Sequence, residues 1–217
     1  MLNPQSQNYH HGNVKSDLIS AAMRLLETDN IEQISLRRLA KEIGISPAAV
    51  YNHFDDKQAL MVAIKSEAFQ ELNEYFDREC ADNANPELAF KEMCFAYYNF
   101  SQRYPSRFRV LFSDGISRKN ITDDFLRLSC VTIDRLRNIM TNLFEKYKKD
   151  FTQEQCVNHA TLAWSQLHGL IMLRDSGSIS AAIASKGWPK SCSLHKENEV
   201  LGLIETLVDG IVSLIKR

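Results

Sequence analysis

The sequence has few glycines and prolines, which interrupt helices, and lacks the pattern of a β-strand. Among its 217 residues there are 8 glycines and 5 prolines, and apolar residues make up 44%. No run of alternating apolar and polar residues marks a strand, and no segment repeats at a period of roughly 20 to 50 residues. We therefore expect an all-α globular protein, with a chain long enough to bury a sizeable core.

Paired cysteines and signals for export or membrane insertion are also lacking. The cysteines are odd in number and widely spaced, and no two have the Cys-x-x-Cys spacing of a zinc site. No signal peptide and no long apolar run is found. These absences predict a cytoplasmic protein with reduced thiols, no bound metal and no membrane span. A redox sensor remains the alternative for the cysteines, which are Cys80, Cys94, Cys130, Cys156 and Cys192.

Neither a general excess of charge nor a set of catalytic residues is present. The formal net charge is -1, so the overall charge does not indicate a nucleic-acid partner. Any positive surface is local, centred on Arg37, Arg38 and Lys41, and favours docking at one specific site over general coating of a polyanion. No glycine-rich phosphate loop occurs. Cys156 and His168 share a predicted helix but lie about 18 Å apart by helical rise, so they cannot form a nucleophile–base pair. We expect no enzyme activity and no cofactor.

Residues 35–57 have the pattern of a helix-turn-helix. Ser35 is a good N-cap because its hydroxyl can accept a hydrogen bond from a backbone N–H of the first turn. Gly44 follows the last apolar position of that helix, where a left-handed residue commonly ends it. Ser46 is then the N-cap of a second helix, with Pro47 at its first position. Two short helices joined by one glycine-containing turn are therefore predicted.

The second of these helices is predicted to enter the major groove of DNA. Ala48 and Ala49 are small enough for the backbone to approach the groove floor, and their methyls can touch a thymine methyl. Tyr51, His53 and Lys57 can reach phosphate oxygens. The alternative is that all are ordinary surface residues of a helical hairpin. The predicted DNA contacts are Ser35, Arg37, Arg38, Ser46, Pro47, Ala48, Ala49, Tyr51, Asn52, His53 and Lys57.

This stretch resembles the DNA-binding domain of the TetR/AcrR family of bacterial transcriptional regulators. Ala48 stands where many members carry glycine, which keeps the site small but can alter which bases are accepted. Upstream, residues 9–12 resemble a subset of the family, and their His10-His11 pair is expected to lie in an exposed arm. The family pattern runs through Arg37, Leu39-Ala40, Gly44-Ile45-Ser46, Ala48-Ala49-Val50, Tyr51, His53-Phe54, Lys57 and Leu60.

The resemblance implies two domains and a regulatory function. Residues 1–57 would form the N-terminal arm and a three-helix helix-turn-helix DNA-binding domain, and residues 58–217 a helical ligand-binding and dimerisation domain. It implies a homodimer that represses transcription from double-stranded operator DNA and is released by a small-molecule effector. The alternative is a ligand-independent DNA-binding protein that organises chromosomal DNA or recruits a protein partner.

Helical spacing of apolar residues predicts the remaining helices. Asp55 with Gln58, and Thr152 with Gln155, are expected to form capping boxes, and Asp114-Gly115 predicts a turn. Residues 176–193 are expected to be a loop with at most one short helix. The helices are expected at residues 14–28, 56–79, 86–102, 105–112, 122–148, 153–174 and 196–215.

The helices expected at residues 153–174 and 196–215 carry broad apolar stripes. Two such helices could pack against their own copies across a two-fold axis to form a four-helix interface. In the family that the sequence resembles, the last two long helices form the dimer interface. The alternative is that both stripes belong to the internal core.

The middle of the chain is rich in aromatic residues, most of which are expected to be core. A small-molecule pocket is the other use of clustered aromatic and polar groups. Trp164 and His168, followed by Gly169, resemble the Trp-x-x-x-His-Gly signature of one C-terminal subgroup of the family. His168 could contact a ligand, but we expect it to be a hydrogen-bonded core histidine. The candidate ligand contacts are Tyr97, Tyr98, Phe108, Phe112, Trp164 and His168.

Overall fold

The computed structural model describes residues 13–29, 31–81, 83–113 and 116–217, and these residues form helices and no strands, as the sequence predicts. The predicted arm at residues 9–12 and the predicted turn at 114–115 lie outside them. None of the described helices is long and apolar enough to cross a membrane. The helices are α1 Val14–Leu25, α2 Leu36–Glu42, α3 Pro47–Tyr51, α4 Lys57–Glu79, α5 Pro86–Arg103, α6 Pro105–Leu111, α7 Asp123–Lys146, α8 Gln153–Asp175, α9 Ser178–Lys186 and α10 Glu197–Lys216, with 3-10 turns at Ile31–Gln33, Arg118–Asn120 and Lys190–Cys192.

The chain divides into two compact units. The first unit includes the described residues up to 68 together with 106–125, and the second includes 69–105 and 126–217. The unit that holds the predicted DNA-binding domain therefore also contains the start of α4, most of α6 and the segment that follows α6.

The first unit is held together by apolar residues at helical spacing. Leu18 and Ala22 of α1, Leu39 of α2, and Leu60 and Ile64 of α4 are fully buried. Burying one large aliphatic side chain contributes about 1.5–3 kcal/mol. Because α2 and α3 have only seven and five residues, their stability comes from this packing rather than from helix propensity.

Polar contacts fasten residues 106–125 within the first unit. Arg107 forms an ion pair with Glu27, just after α1. The ammonium group of Lys65, which is 6% exposed, donates a hydrogen bond to the carbonyl of Ser113. That carbonyl follows the C-terminal end of α6, where the helix dipole favours a cation. The α6 segment is therefore attached to both α1 and α4.

The second unit buries one face of each of its helices α5, α8 and α10. Phe90 and Tyr98 of α5, Ile171 of α8, and Ile204 and Ile211 of α10 are at most 1% exposed. Part of the apolar stripes on α8 and α10 is therefore internal core, which was the alternative left open by the sequence. The remaining apolar residues of these helices face outward and are described below.

The capping box expected for α4 is wrong. The helix begins one residue later than expected, so the cap moves from Asp55 to Asp56, whose Oδ1 accepts from the N–H of Ala59 at 2.8 Å. Gln58 does not fold back onto the cap. Its Oε1 accepts instead from the N–H of Ser117 at 2.8 Å, which adds a further contact between α4 and the segment after α6.

The other predicted helix ends agree with the structure to within three residues. α7 stops before Lys148, whose φ of 51° is left-handed and cannot continue the helix. The capping box of Thr152 and Gln155 is confirmed, with Thr152 Oγ1 accepting from the Gln155 N–H at 3.2 Å and Gln155 Oε1 accepting from the Thr152 N–H at 2.8 Å. The expected loop at 176–193 contains α9 and a 3-10 turn.

Candidate DNA-binding surface and buried polar cluster

The turn between α2 and α3 depends on Gly44. Its φ of 72° is a left-handed conformation that side chains disfavour. The Gly44 N–H donates to the carbonyl of Lys41 at 3.3 Å, and the Ile45 N–H donates to the carbonyl of Ala40 at 2.9 Å. These two bonds make a Schellman motif, which satisfies carbonyls left unpaired at the end of α2. The predicted glycine turn is confirmed.

α3 is held by its cap and by its inner side. Ser46 Oγ accepts from the Ala49 N–H at 3.2 Å, and Pro47 occupies the first helical position, where no N–H is needed. Val50 and Phe54 are 0% and 2% exposed. Because these two residues fix the inner side, the opposite side of α3 faces solvent.

Most of the predicted DNA contacts lie on α3 or directly beside it. Tyr51 is 51% exposed, and the first turn presents the small side chain of Ala48, with Ala49 half-buried behind it. An exposed helix with small residues in its first turn can bring its backbone close to a groove floor. The exposed members of the predicted set are Ser35, Arg37, Ser46, Pro47, Ala48, Tyr51, Asn52, His53 and Lys57.

Arg37 and Arg38 are neighbours on α2 with different surroundings. Arg38 is half-buried, and its Nη2 lies 2.7 Å from Oδ2 of Asp29. This ion pair joins α2 to the chain after α1. Arg37 is exposed. Among the described residues, Arg37 has no ion-pair partner that a phosphate would have to displace, whereas Arg38 already pairs with a carboxylate.

Lys15 is a candidate DNA contact that the sequence reasoning missed. It is exposed in the first turn of α1, and its Nζ lies 5.7 Å from the ring centroid of Phe54, just beyond α3. A cation in a first helical turn opposes the helix dipole, and this is the only sequence signal it carries. Its position beside the end of α3 depends on a contact between distant residues, which spacing cannot reveal.

Three of the candidate ligand residues form a hydrogen-bonded group, here called the Tyr97 cluster. The buried hydroxyl of Tyr97 accepts from Trp164 Nε1 at 3.1 Å and lies 3.1 Å from His168 Nδ1. Burial raises the pKa of Tyr97 and lowers the pKa of His168. Both groups are therefore neutral at pH 7. The arrangement agrees with the expected hydrogen-bonded histidine and joins α5 to α8.

The other candidate ligand residues have separate surroundings. The ring of Tyr98 lies 5.6 Å from the guanidinium carbon of Arg174. Phe108 and Phe112 belong to the first unit, where their ring centroids are 5.3 Å apart. The structure thus places Tyr98, like the Tyr97 cluster, in the second unit, and groups the two phenylalanines with each other.

α8 and α10 also carry apolar side chains on their outer faces. On α8, Val157, Trp164 and Met172 are 42%, 36% and 51% exposed, and on α10, Leu203 and Leu214 are 44% and 46% exposed. These residues recur at helical spacing along helices that pack against each other. Apolar patches of this kind mark interaction sites.

All five cysteines are free thiols. Burial raises the pKa of Cys80 to about 11 and raises that of Cys94 as well. Thiols that stay protonated at neutral pH react slowly, which argues against redox sensing by this pair. Among the described residues, no group of three His, Cys, Asp or Glu side chains could hold a metal ion.

Two family models match the chain. Residues 18–64 match the model described as bacterial regulatory proteins, tetR family, and residues 90–186 match the tetracyclin repressor-like C-terminal domain. The first match contains α2 and α3, with the glycine turn between them. The second contains all three residues of the Tyr97 cluster.

Curated relatives match part of the chain. The nucleoid occlusion factor SlmA of Vibrio cholerae is 26% identical over 146 residues, which are 65% of this chain and 66% of that protein. The protein of the same name from Shewanella baltica is 26% identical over 145 residues, 65% of each chain. The match therefore spans just under two thirds of the length of these relatives.

Solved structures match nearly the whole chain. A protein of unknown function from Rhodococcus sp. RHA1 has a TM-score of 0.69 at 23% identity, covering 98% of this chain and 100% of that one. A TetR variant from Acinetobacter baumannii AYE in complex with minocycline has a TM-score of 0.60 at 19% identity, covering 94% and 98%. At these identities the likeness concerns the fold.

Proposed function

Because the chain belongs to the TetR family of bacterial DNA-binding regulators, we propose that it represses transcription as a homodimer on operator DNA and leaves when a small molecule binds. The observation that carries this proposal is the outward side of α3, where Ala48 and Tyr51 are exposed while Val50 and Phe54 anchor the helix from behind. Such a helix can enter the major groove. The proposed role is binding, without catalysis.

Each side chain around α3 has a proposed task. Ala48 touches a thymine methyl on the groove floor. Tyr51, His53 and Lys57 contact phosphate oxygens and fix the register of the helix on the duplex. These phosphate contacts do not by themselves distinguish one base sequence from another. Arg37 adds a phosphate or guanine contact. Ser35, Asn52, Ala49, Ser46 and Pro47 complete the proposed surface, and Lys15 extends it to the start of α1.

DNA duplexes selected from random sequence by the purified protein test this surface. Tyr51→Phe and Lys57→Ala should each weaken binding fairly evenly across selected sequences. Lys57→Ala should also reduce the slope of log affinity against log salt by about 0.9, the contribution of one phosphate contact. Lys148→Ala, an exposed lysine of the second unit, is the matched control. Unchanged affinity in both test variants would refute the proposed docking.

The proposed homodimer is formed by the outer faces of α8 and α10. Leu203 and Leu214 of α10 would meet their copies across a two-fold axis, with Trp164 and Met172 of α8 beside them. Two α3 helices presented about 34 Å apart match successive major grooves. Leu203→Glu should shift sedimentation toward a monomer and lower DNA affinity in parallel. If Leu203→Glu leaves both the dimer and the DNA affinity unchanged, this interface is excluded.

The proposed effector site is built on the Tyr97 cluster and Tyr98. The likeness to a structure that holds minocycline supports small-molecule binding as one use of this fold. A ligand that prefers a conformation with weak DNA affinity shifts the population toward it, and a tenfold loss needs about 1.4 kcal/mol of differential binding. We propose that α4, one unbroken helix with residues in both units, transmits this change.

Screening small molecules for release of bound DNA tests the effector proposal. His168→Ala should change the response to any active compound while leaving the affinity for DNA without it unchanged. If no compound alters DNA affinity, release by a ligand is refuted while the DNA-binding surface stands.

A second candidate function is a DNA-binding protein that organises the chromosome without a ligand. The similarity to nucleoid occlusion factors from Vibrio and Shewanella favours this candidate. Genome-wide mapping of binding sites separates the two. A promoter-specific repressor should occupy one or a few promoters, whereas an organising protein should occupy many dispersed sites.

A further inference from the structure

Two adjacent basic residues, Arg118 and Lys119, lie in the 3-10 turn that follows α6. Both side chains are exposed. Among the described residues, no carboxylate forms an ion pair with either of them. Two neighbouring positive charges that no carboxylate neutralises attract an anionic partner. The turn is here called the Arg118–Lys119 pair.

The Arg118–Lys119 pair belongs to the stretch that matches the C-terminal family model, but it lies in the first compact unit. That unit also contains α2, α3 and the start of α4. The pair is therefore carried by the same unit as the proposed DNA-binding surface, although it is distant from that surface in sequence.

Two hydrogen bonds show how the segment after α6 runs along α4. Lys65 donates to the carbonyl of Ser113, and the Ser117 N–H donates to Oε1 of Gln58 at 2.8 Å. Gln58 precedes Lys65 on the helix and is about 10 Å nearer its start by helical rise. The segment therefore approaches the beginning of α4 as it leaves α6, and Lys57 is the first residue of that helix.

The Arg118–Lys119 pair directly follows the bond between Ser117 and Gln58. Its Cα atoms lie at most about 7 Å from that of Ser117, because they are one and two residues further along the chain. Gln58 is in turn the neighbour of Lys57, a proposed phosphate contact. The pair is thus held at the end of α4 that meets DNA in the proposed complex.

We infer that Arg118 and Lys119 bind the phosphate backbone of the DNA that α3 enters. This inference rests on the DNA-binding function proposed above. Asp123 and Asp124 follow in the first turn of α7, where carboxylates complement the helix dipole, so the basic patch is confined to the turn. Its phosphate contacts would add affinity and help to fix the register of α3 without reading bases.

The salt dependence of DNA binding tests the inference. In the double variant Arg118→Ala, Lys119→Ala, the slope of log affinity against log salt should fall by about 1.8 per bound chain, at about 0.9 for each lost phosphate contact. The motif selected from random duplexes should stay the same, because phosphate contacts do not distinguish bases. The matched control is Lys186→Ala, Lys190→Ala, which removes two exposed positive charges from the second unit and should keep the wild-type slope.

A second double variant separates charge from a structural role. Arg118→Lys, Lys119→Arg keeps both positive charges at the same positions and should retain the wild-type slope. If it loses as much of the slope as the alanine variant does, the side chains support the fold of the turn and the inference is overturned.

Duplexes that carry one neutral methylphosphonate in place of a phosphate locate the contacts. At the phosphates bound by the Arg118–Lys119 pair, this replacement should weaken binding of the wild type but not of the alanine variant. These phosphates should neighbour those at which Lys57→Ala loses the same sensitivity. An alanine variant that keeps the wild-type response at every phosphate contradicts the inference.

The outcomes separate this inference from the proposed DNA-binding surface. If Lys57→Ala lowers the salt slope while the alanine variant of the Arg118–Lys119 pair does not, the inference alone fails. If neither variant lowers the slope, the proposed surface around the start of α4 fails with it.

Discussion

The outward side of α3 and the Tyr97 cluster contain similar chemical groups in opposite settings. Tyr51 at the end of α3 and His53 just after it are exposed to solvent, so hydrogen-bond partners can come from DNA. In the Tyr97 cluster the phenol, indole and imidazole bond one another. Exposed polar groups can meet an external partner at little cost, whereas a ligand at the Tyr97 cluster must compete with bonds already present. Substitutions should therefore affect DNA affinity in the first region and folding stability in the second.

The largest effect is expected from a charge on the first turn of α3. Ala48→Glu places a carboxylate against the phosphates of the groove, and like charges at an interface cost several kcal/mol. DNA affinity should fall about 100-fold or more, with no loss of thermal stability because the site is exposed. Ala48→Ser keeps the side chain small and should bind within a few-fold of the wild type by fluorescence anisotropy. Equal affinities for Glu and Ser would contradict entry of α3 into the groove.

Removing the central hydroxyl of the Tyr97 cluster should lower stability. Tyr97→Phe leaves two former partners without that hydroxyl, at a cost of about 1–2 kcal/mol in the free energy of unfolding. The matched control is Tyr147→Phe, because the Tyr147 hydroxyl is buried without a hydrogen-bond partner among the described residues. That control should be neutral or slightly stabilising. Urea denaturation measures both, and equal losses would mean that the cluster does not stabilise the fold.

Arg37 and Arg38 allow the same comparison within one helix. Arg37→Ala should weaken DNA binding and lower the salt slope by about 0.9 without affecting stability. Arg38→Ala removes the ion pair with Asp29 and should lower the free energy of unfolding by up to about 1 kcal/mol, as loss of a surface pair does. It should weaken DNA binding less than Arg37→Ala does. Anisotropy at several salt concentrations, combined with thermal melting, gives both readouts. If Arg38→Ala weakens DNA binding more than Arg37→Ala does, Arg38 rather than Arg37 is the main DNA contact on α2.

The smallest effect concerns pH. Burial lowers the pKa of His168 in the folded chain below the usual value for histidine, about 6.5. As the pH falls below about 6.5, the unfolded chain binds more protons at this histidine than the folded chain does, so the free energy of unfolding should decrease. His168→Asn removes the titrating group, and its amide oxygen can still accept from Tyr97. The slope of stability against pH should become shallower, and an unchanged slope would show that His168 does not contribute to it.

The sequence predicted the features that depend on neighbouring residues. Ser35 and Ser46 cap their helices through bonds to residues three positions ahead, and Gly44 ends α2 through its own backbone conformation. Interactions of this range follow from residue type and spacing. The failure at Asp55 has the same origin, because moving a helix start by one residue moves its cap.

Features that depend on residues distant in sequence were not predictable in this way. Spacing gave no sign that Arg38, a predicted DNA contact, forms an ion pair with Asp29. The bond between Tyr97 and His168 joins residues 71 positions apart. The inner and outer sides of α8 and α10 could not be separated from their apolar pattern, because both sides are apolar and only the packed chain decides which is covered.

The most direct test is the DNA motif that the purified protein selects from random duplexes, together with the number of chains bound to it. If two copies present α3 to successive major grooves, the motif should be two-fold symmetric, with half-sites about 10 base pairs apart or a multiple of that, and two chains or a multiple should bind. A single half-site occupied by one chain, or no enriched motif, would contradict the account.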